Sequence, residues 1–287
     1  MKWIMMFFFL CTASTLKAEI PQPGPVKVEL LTDVANVKPG DAFILGVLFR
    51  IKPGWHIYWK NPGDSGLPTS VKFAVTDEFS VGQLRWPVPV RFYRSGDIVD
   101  YGYAESVLLS AKVKAPAELS SGSTVSIRAN ISWLSCEKIC IPGHANLELK
   151  LPVSEMAAPV NSELFAQWEE HLPSDSELAR NPFAAKITGR VNAQGTPSTF
   201  TVLLDWKFPP VNVEWFPEVD GAFDIVNLLY KTEGKQTHIT FTAMIFPGQG
   251  LSSNFLETLV AYTDAKGERK GVKLPIQLRG AINPKNK

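Results

Sequence analysis

The chain has 287 residues, 45% of them apolar and 20% charged, and its 29 Lys and Arg against 28 Asp and Glu leave a net charge of +1. So even a balance excludes nucleic acid and anionic membrane surfaces as electrostatic partners. The length is comfortable for two domains, and 22 prolines and 20 glycines among many short alternating runs indicate an all-β protein.

Met1-Lys2 forms a minimal positive start, Ile4 to Cys11 is a short apolar run, and Leu16-Lys17-Ala18 offers a small residue for cleavage. This pattern predicts a secretory signal peptide over 1–18, too short to span a bilayer. Leu10 is a poor residue ahead of a lipidated cysteine, so Cys11 is read as part of the signal. Its removal takes Lys2 and Lys17, moves the net charge to −1, and leaves two of the three cysteines in an exported protein. An oxidising compartment permits a disulfide there. No later run approaches eighteen apolar residues, so no stable membrane insertion is expected.

From Val26 the chain reads as strands. Val26–Leu31, Ala42–Ile51, Trp55–Trp59, Val71–Val75, Gly82–Trp86 and Ser106–Lys114 are separated by turn signals, the densest being Asn61 to Pro68. Ala42–Ile51 is apolar enough for burial on both faces. In the short aromatic strand, Trp55, Ile57 and Trp59 share one face. Pro87 to Tyr103 (PVPVRFYRSGDIVDYGY) lacks alternation and is expected as an irregular loop rich in rings. Two readings of it stand: rings packing on their own sandwich, or a loop covering the cysteines.

Thr124 to Val153 organises the first half. Val125, Ile127, Ala129, Ile131 and Trp133 alternate with polar residues, and so do Ala145, Leu147, Leu149, Leu151 and Val153. Between the two runs lies Cys136-Glu137-Lys138-Ile139-Cys140, which predicts a β-hairpin with the cysteine pair at or near its tip. Four residues of extended strand span roughly 13 Å, whereas a disulfide needs Cα atoms about 4.4–6.8 Å apart. A bonded pair therefore requires the chain to fold back between the cysteines. Closing so small a loop stabilises a fold by only about 2 kcal/mol, little for a chain this long. Small loops of this kind suit a disulfide that opens and closes. A plain structural bridge and a metal site are the alternatives, since Cys136-x3-Cys140-x3-His144 offers two thiolates and an imidazole suited to copper(I) or zinc.

Pro152 to Asn181 breaks the β pattern. Leu164, Phe165 and Trp168 have helical spacing with Ser162 as N-cap, predicting one amphipathic linking helix over Ser162–His171 whose aromatic face packs between domains. Seven further strands follow from Ala185 to Arg279, with His238 on a surface strand. The predicted organisation is a signal peptide over 1–18, a cysteine-bearing domain over 19–153, a helical linker over 154–182 and a second β-sandwich over 183–287. The fold class is all-β, two immunoglobulin-like sandwiches. No hydrolase, zincin or phosphate-loop signature is present.

Three motifs, GWHIYWKNPGDSGLP (Gly54–Pro68), YGY (Tyr101–Tyr103) and WLSCEKICIPG (Trp133–Gly143), together resemble the amino-terminal periplasmic domain of DsbD-type thiol–disulfide interchange proteins, closest to the ScsB-like branch. The resemblance covers the first domain and implies a periplasmic thiol:disulfide oxidoreductase, of protein-disulfide reductase type, in a family tied to cytochrome c biogenesis and copper tolerance. It carries the redox pair onto Cys136 and Cys140, with Cys140 joining the partner and Cys136 resolving the mixed disulfide. It also implies an aromatic cap, here drawn from Phe92, Tyr93, Tyr101 and Tyr103. The implied partners are a membrane or thioredoxin-like electron donor and periplasmic client proteins, with no bound cofactor. The rival is a copper chaperone using Cys136, Cys140 and His144, and a third reading is a scaffold pinned by the disulfide. DsbD itself has five residues between its cysteines and this chain three, so local geometry does not transfer.

Overall fold

A computed structural model describes residues 24–76, 78–175, 181–189, 197–219, 223–246 and 255–278. The expected signal peptide lies outside the described residues, as do the ends of three expected strands (190–191, 253–254 and 279). The fold is all-β, two immunoglobulin-like sandwiches with one short helix between them.

The first sandwich is built from β1 (Val26–Thr32), β2 (Ala42–Ile51), β3 (His56–Gly63), β4 (Ser70–Val75), β5 (Ser80–Val81), β6 (Val90–Tyr93), β7 (Val99–Ala104), β8 (Ser106–Lys114), β9 (Thr124–Cys136) and β10 (Cys140–Pro152). One sheet runs β1-β2-β8-β5, the other β10-β9-β3-β7-β6 with β4 also on β9. The alternation in β9 does what period two demands: Val125, Ile127, Ala129, Ile131 and Trp133 are all buried, and their neighbours face out. They meet Leu45, Val47 and Phe49 from β2 in the core between the sheets.

Helix α1 (Ser162–Glu169) follows. Its Phe165 packs against Leu48 and Leu108 on the outer face of β2 and β8, which is why β2 is apolar on both faces. The aromatic face of α1 thus covers the first sandwich instead of filling an interdomain gap. The expected cap also differs. Asn161 occupies the N-cap at φ 53° with no side-chain cap bond, because its amide donates instead to the Thr32 carbonyl, 3.0 Å away.

The second sandwich comprises β11 (Ser174–Asp175), β12 (Phe183–Thr188), β13 (Ser198–Trp206), β14 (Val211–Pro217), β15 (Phe223–Glu233), β16 (Gln236–Ile245), β17 (Phe255–Leu256), β18 (Thr258–Thr263), β19 (Arg269–Lys273) and β20 (Ile276–Gln277). Its sheets run β11-β19-β18-β14 and β12-β13-β16-β15, with β17 paired to β20. Phe216, Leu259 and Ala261 from this half belong to the core of the first.

Three local expectations need correction. Gly82–Trp86 is not a strand: Arg85 makes one bridge to Ser110, and the chain then leaves the sheet so that Val88 N–H bonds the His171 carbonyl. Asn61 to Gly63 is not purely turn, since β3 continues through it with a register shift after Tyr58. Residues 90–104 are a paired hairpin, β6–β7, at the end of the cysteine sheet. It lacks alternation because both of its faces are covered, one by the cysteine site and the other by the second sandwich.

Candidate functional site

Cys136 is the last residue of β9 and Cys140 the first of β10, directly opposite in register. The three residues Glu137, Lys138 and Ile139 fold the chain back, bringing the Cα atoms to 4.2 Å and closing a disulfide. The two sulfurs have different surroundings. Cys136 is fully buried and Cys140 lies exposed on the sheet edge.

Antiparallel register decides what shares a face with the pair, because opposed residues point the same way. Cys136 stands opposite His56, Tyr58 opposite Gly102, and Asp100 opposite Phe92. The Tyr58 hydroxyl donates to Cys136 Sγ at 3.1 Å. Gly66, at φ +88°, lets the loop lie flat on that ring, since a Cβ there would stand 2.3 Å from it. His56 meets Tyr58 edge-on at 5.2 Å and is stacked by Phe92 at 4.3 Å. Arg94, at the end of β6, brings Nη2 to 4.0 Å from Cys140 Sγ. Its Nε lies 3.2 Å from the Asp100 carboxylate. Asp100 is fully buried and accepts from Ser65 N–H at 3.1 Å and Ser65 Oγ at 2.7 Å.

Burial, and then the Arg94 charge, lowers the His56 pKa against an opposing pull from Asp100. His56 therefore favours its neutral form. Burial, then Asp100, raises the Tyr58 pKa. The phenol keeps its proton and remains a donor.

Of the four expected cap rings, Phe92 stands on the face of the cysteine pair, stacked on His56. Tyr93 is 72% exposed at the hairpin tip. Tyr101 and Tyr103 occupy the opposite face: Tyr101 meets Phe216 at 5.0 Å, and the Tyr103 hydroxyl donates to the Pro87 carbonyl. Lys138 is exposed in the hairpin loop. His144 sits opposite Ser132 on β10, four extended residues or roughly 13 Å from Cys140, so the strand does not bring it to the thiols. Among the described residues no group of three His, Cys, Asp or Glu is placed to hold a metal ion. Tyr58, Arg94 and Asp100 are not legible as site residues from composition. The available signal was period two: if Trp55, Ile57 and Trp59 take one face of β3, His56 and Tyr58 must take the other.

Residues 25–152 match the family described as thiol:disulfide interchange protein DsbD, N-terminal. No curated protein matches the chain. Among solved structures, the N-terminal periplasmic domain of ScsB from Proteus mirabilis superposes with a TM-score of 0.60 at 18% identity, covering 88% of this chain and 94% of that one. At that identity the likeness establishes the shared fold. A protein of unknown function from Porphyromonas gingivalis W83 aligns over 89% of this chain and all of that one, with 11% identity and a TM-score of 0.22, too low to carry an argument. No helix of the described residues is long and apolar enough to cross a membrane.

Proposed function

We propose that this chain, whose residues 25–152 are a DsbD-type N-terminal domain, is a periplasmic thiol–disulfide exchange module acting through Cys136 and Cys140. The observation that carries the reading is the asymmetry of the pair: an exposed cysteine beside a guanidinium and a buried cysteine under a phenol. In the reduced domain the Cys140 thiolate attacks one sulfur of a client disulfide, forming a mixed disulfide and releasing one client thiolate. The Cys136 thiolate then attacks Cys140 Sγ, restoring the domain disulfide and releasing the second client thiolate. Two electrons pass from the pair to the client. Reloading runs in reverse, with a thioredoxin-like donor thiolate attacking Cys140 and Cys136 leaving as thiolate. Arg94 favours charge on Cys140, and the Tyr58 hydroxyl favours it on Cys136. Phe92, stacked on His56 opposite Cys136, keeps unselective oxidants from the buried cysteine, while Cys140 stays open to partners.

Equilibration in glutathione buffers with thiol trapping tests this. The expected potential lies within the oxidoreductase range of about −270 to −120 mV, whereas structural disulfides lie below about −300 mV. Cys136→Ala is expected to trap mixed disulfides through Cys140, and Cys140→Ala to form none. A potential below the range with slow exchange would make the bridge structural. For copper only the two thiolates stand together; copper(I) binding by the reduced protein that His144→Ala weakens would favour the metal reading.

A further inference from the structure

Strand β6 carries different loads on its two faces. Val90 and Phe92 point to the cysteine side, and Arg91 between them points away. The Arg91 side chain is 6% exposed. Its guanidinium lies 5.4 Å from the Tyr101 and Phe216 rings and 5.2 Å from Tyr230. It donates to the Trp215 carbonyl at 2.5 Å and sits 3.9 Å from Glu214. Glu214 is bridged at 2.5 Å by Arg269, which donates at 2.6 Å to the carbonyl of Pro89, the residue just before β6. Apart from Tyr101, the rings, carbonyl and carboxylate that these contacts join to Arg91 belong to the second sandwich. A second hold lies on β3, where the Asn61 amide donates to the Pro217 carbonyl and Gly63 pairs with Asp100 on β7.

The hairpin needs this hold. β6 is a four-residue edge strand joined to the sheet only through β7, whose own ladder to β3 is interrupted after Tyr58. A two-stranded ribbon is marginal by itself. A buried guanidinium is tolerable only while its partners remain in place, so lifting the hairpin from the disulfide must disturb contacts that the second sandwich supplies.

We propose that Arg91 is a positioning residue for the redox site: by gripping it, the second sandwich holds hairpin β6–β7, with Phe92 on His56 and Arg94 beside Cys140, in place at the disulfide and so governs how readily the pair is reduced. The proposal rests on the exchange reading above and assigns the second sandwich a part in it. The test is the pseudo-first-order rate at which dithiothreitol reduces the disulfide in the full chain, for wild type, Arg91→Met, Arg91→Lys and Arg269→Met, with thermal unfolding followed in parallel. Loss of the stacked cation and its charge-assisted bond is expected to raise the rate about tenfold in Arg91→Met. Arg91→Lys and Arg269→Met should lie between it and wild type. Because Arg91 acts through the cap, Arg91→Met added to Phe92→Ala should give no further rise. Wild-type rates in Arg91→Met and Arg269→Met, or an undiminished effect in the Phe92→Ala background, would overturn it. If Arg91→Met does not fold, Arg269→Met and Arg91→Lys decide alone. Failure of every variant to exchange with a disulfide-bearing protein client, with the dithiothreitol rates still ordered as above, would instead remove the exchange reading and leave the coupling standing.

Discussion

A leaving sulfur gains from a hydrogen bond that is stronger to the thiolate than to the disulfide, and the Tyr58 hydroxyl, 3.1 Å from Cys136 Sγ, can give one. A bond to a charged acceptor contributes about 1.5–3 kcal/mol and one to a neutral acceptor about 1. Tyr58→Phe should therefore favour the oxidised pair by about 1 kcal/mol, moving the potential about 20 mV more negative. An unchanged potential would remove Tyr58 from the chemistry. His56 leads to a pH prediction. Burial and Arg94 lower its pKa in the folded chain, so between that value and the ordinary one near 6.5 the unfolded chain binds more protons. Stability from this residue is present above pH about 6.5 and is lost as pH falls below it. Unfolding free energies measured from pH 7.5 to 5.0 should fall less steeply for His56→Gln, and an equal slope would contradict the assignment. The cysteine pair, its place in the chain and its partner spacing were readable from residues alone. Arg94 and Asp100 were not, because an isolated arginine and aspartate in an aromatic stretch give no sign that they will meet, 3.2 Å apart, beside a sulfur.

At the level of elements, the two hairpins differ in how openly they are written. β9 and β10 alternate along their length, since β10 is an edge with one wetted face, and period two shows through. The β6–β7 hairpin has no wetted face for much of its length, so its sequence reads as loop. It also depends on close backbone approach. Gly102 would place a Cβ 1.9 Å from the Ile57 carbonyl oxygen. Gly102→Ala must push β7 from β3, and overpacking of this kind costs about 1–3 kcal/mol. Chemical denaturation should register that loss together with faster reduction of the disulfide by small thiols. A variant as stable and as closed as wild type would mean the strand is not held where it lies.

Across the whole molecule, the sandwiches share core. Phe216 of β14 packs among Trp59 and Tyr101 of the first half, at 6.1 and 5.0 Å between ring centroids. Unfolding followed by tryptophan fluorescence and by far-ultraviolet circular dichroism should therefore coincide in one transition. Phe216→Ala should cost about 3–5 kcal/mol and separate the two signals, and two transitions already in the wild type would show the halves to be independent. By itself the sequence determined the all-β class, the cysteine hairpin and its fold-back, and the resemblance of the first half to the DsbD N-terminal family, because each rests on local periodicity or on motifs contiguous in the chain. Only the tertiary structure decided which ring stacks on His56 beside the cysteine pair, which cysteine is exposed, and where the second sandwich takes hold. Those depend on strand register and on partners up to 180 residues apart, as Pro89 and Arg269 are, and a residue buried by such a partner carries no local mark of it.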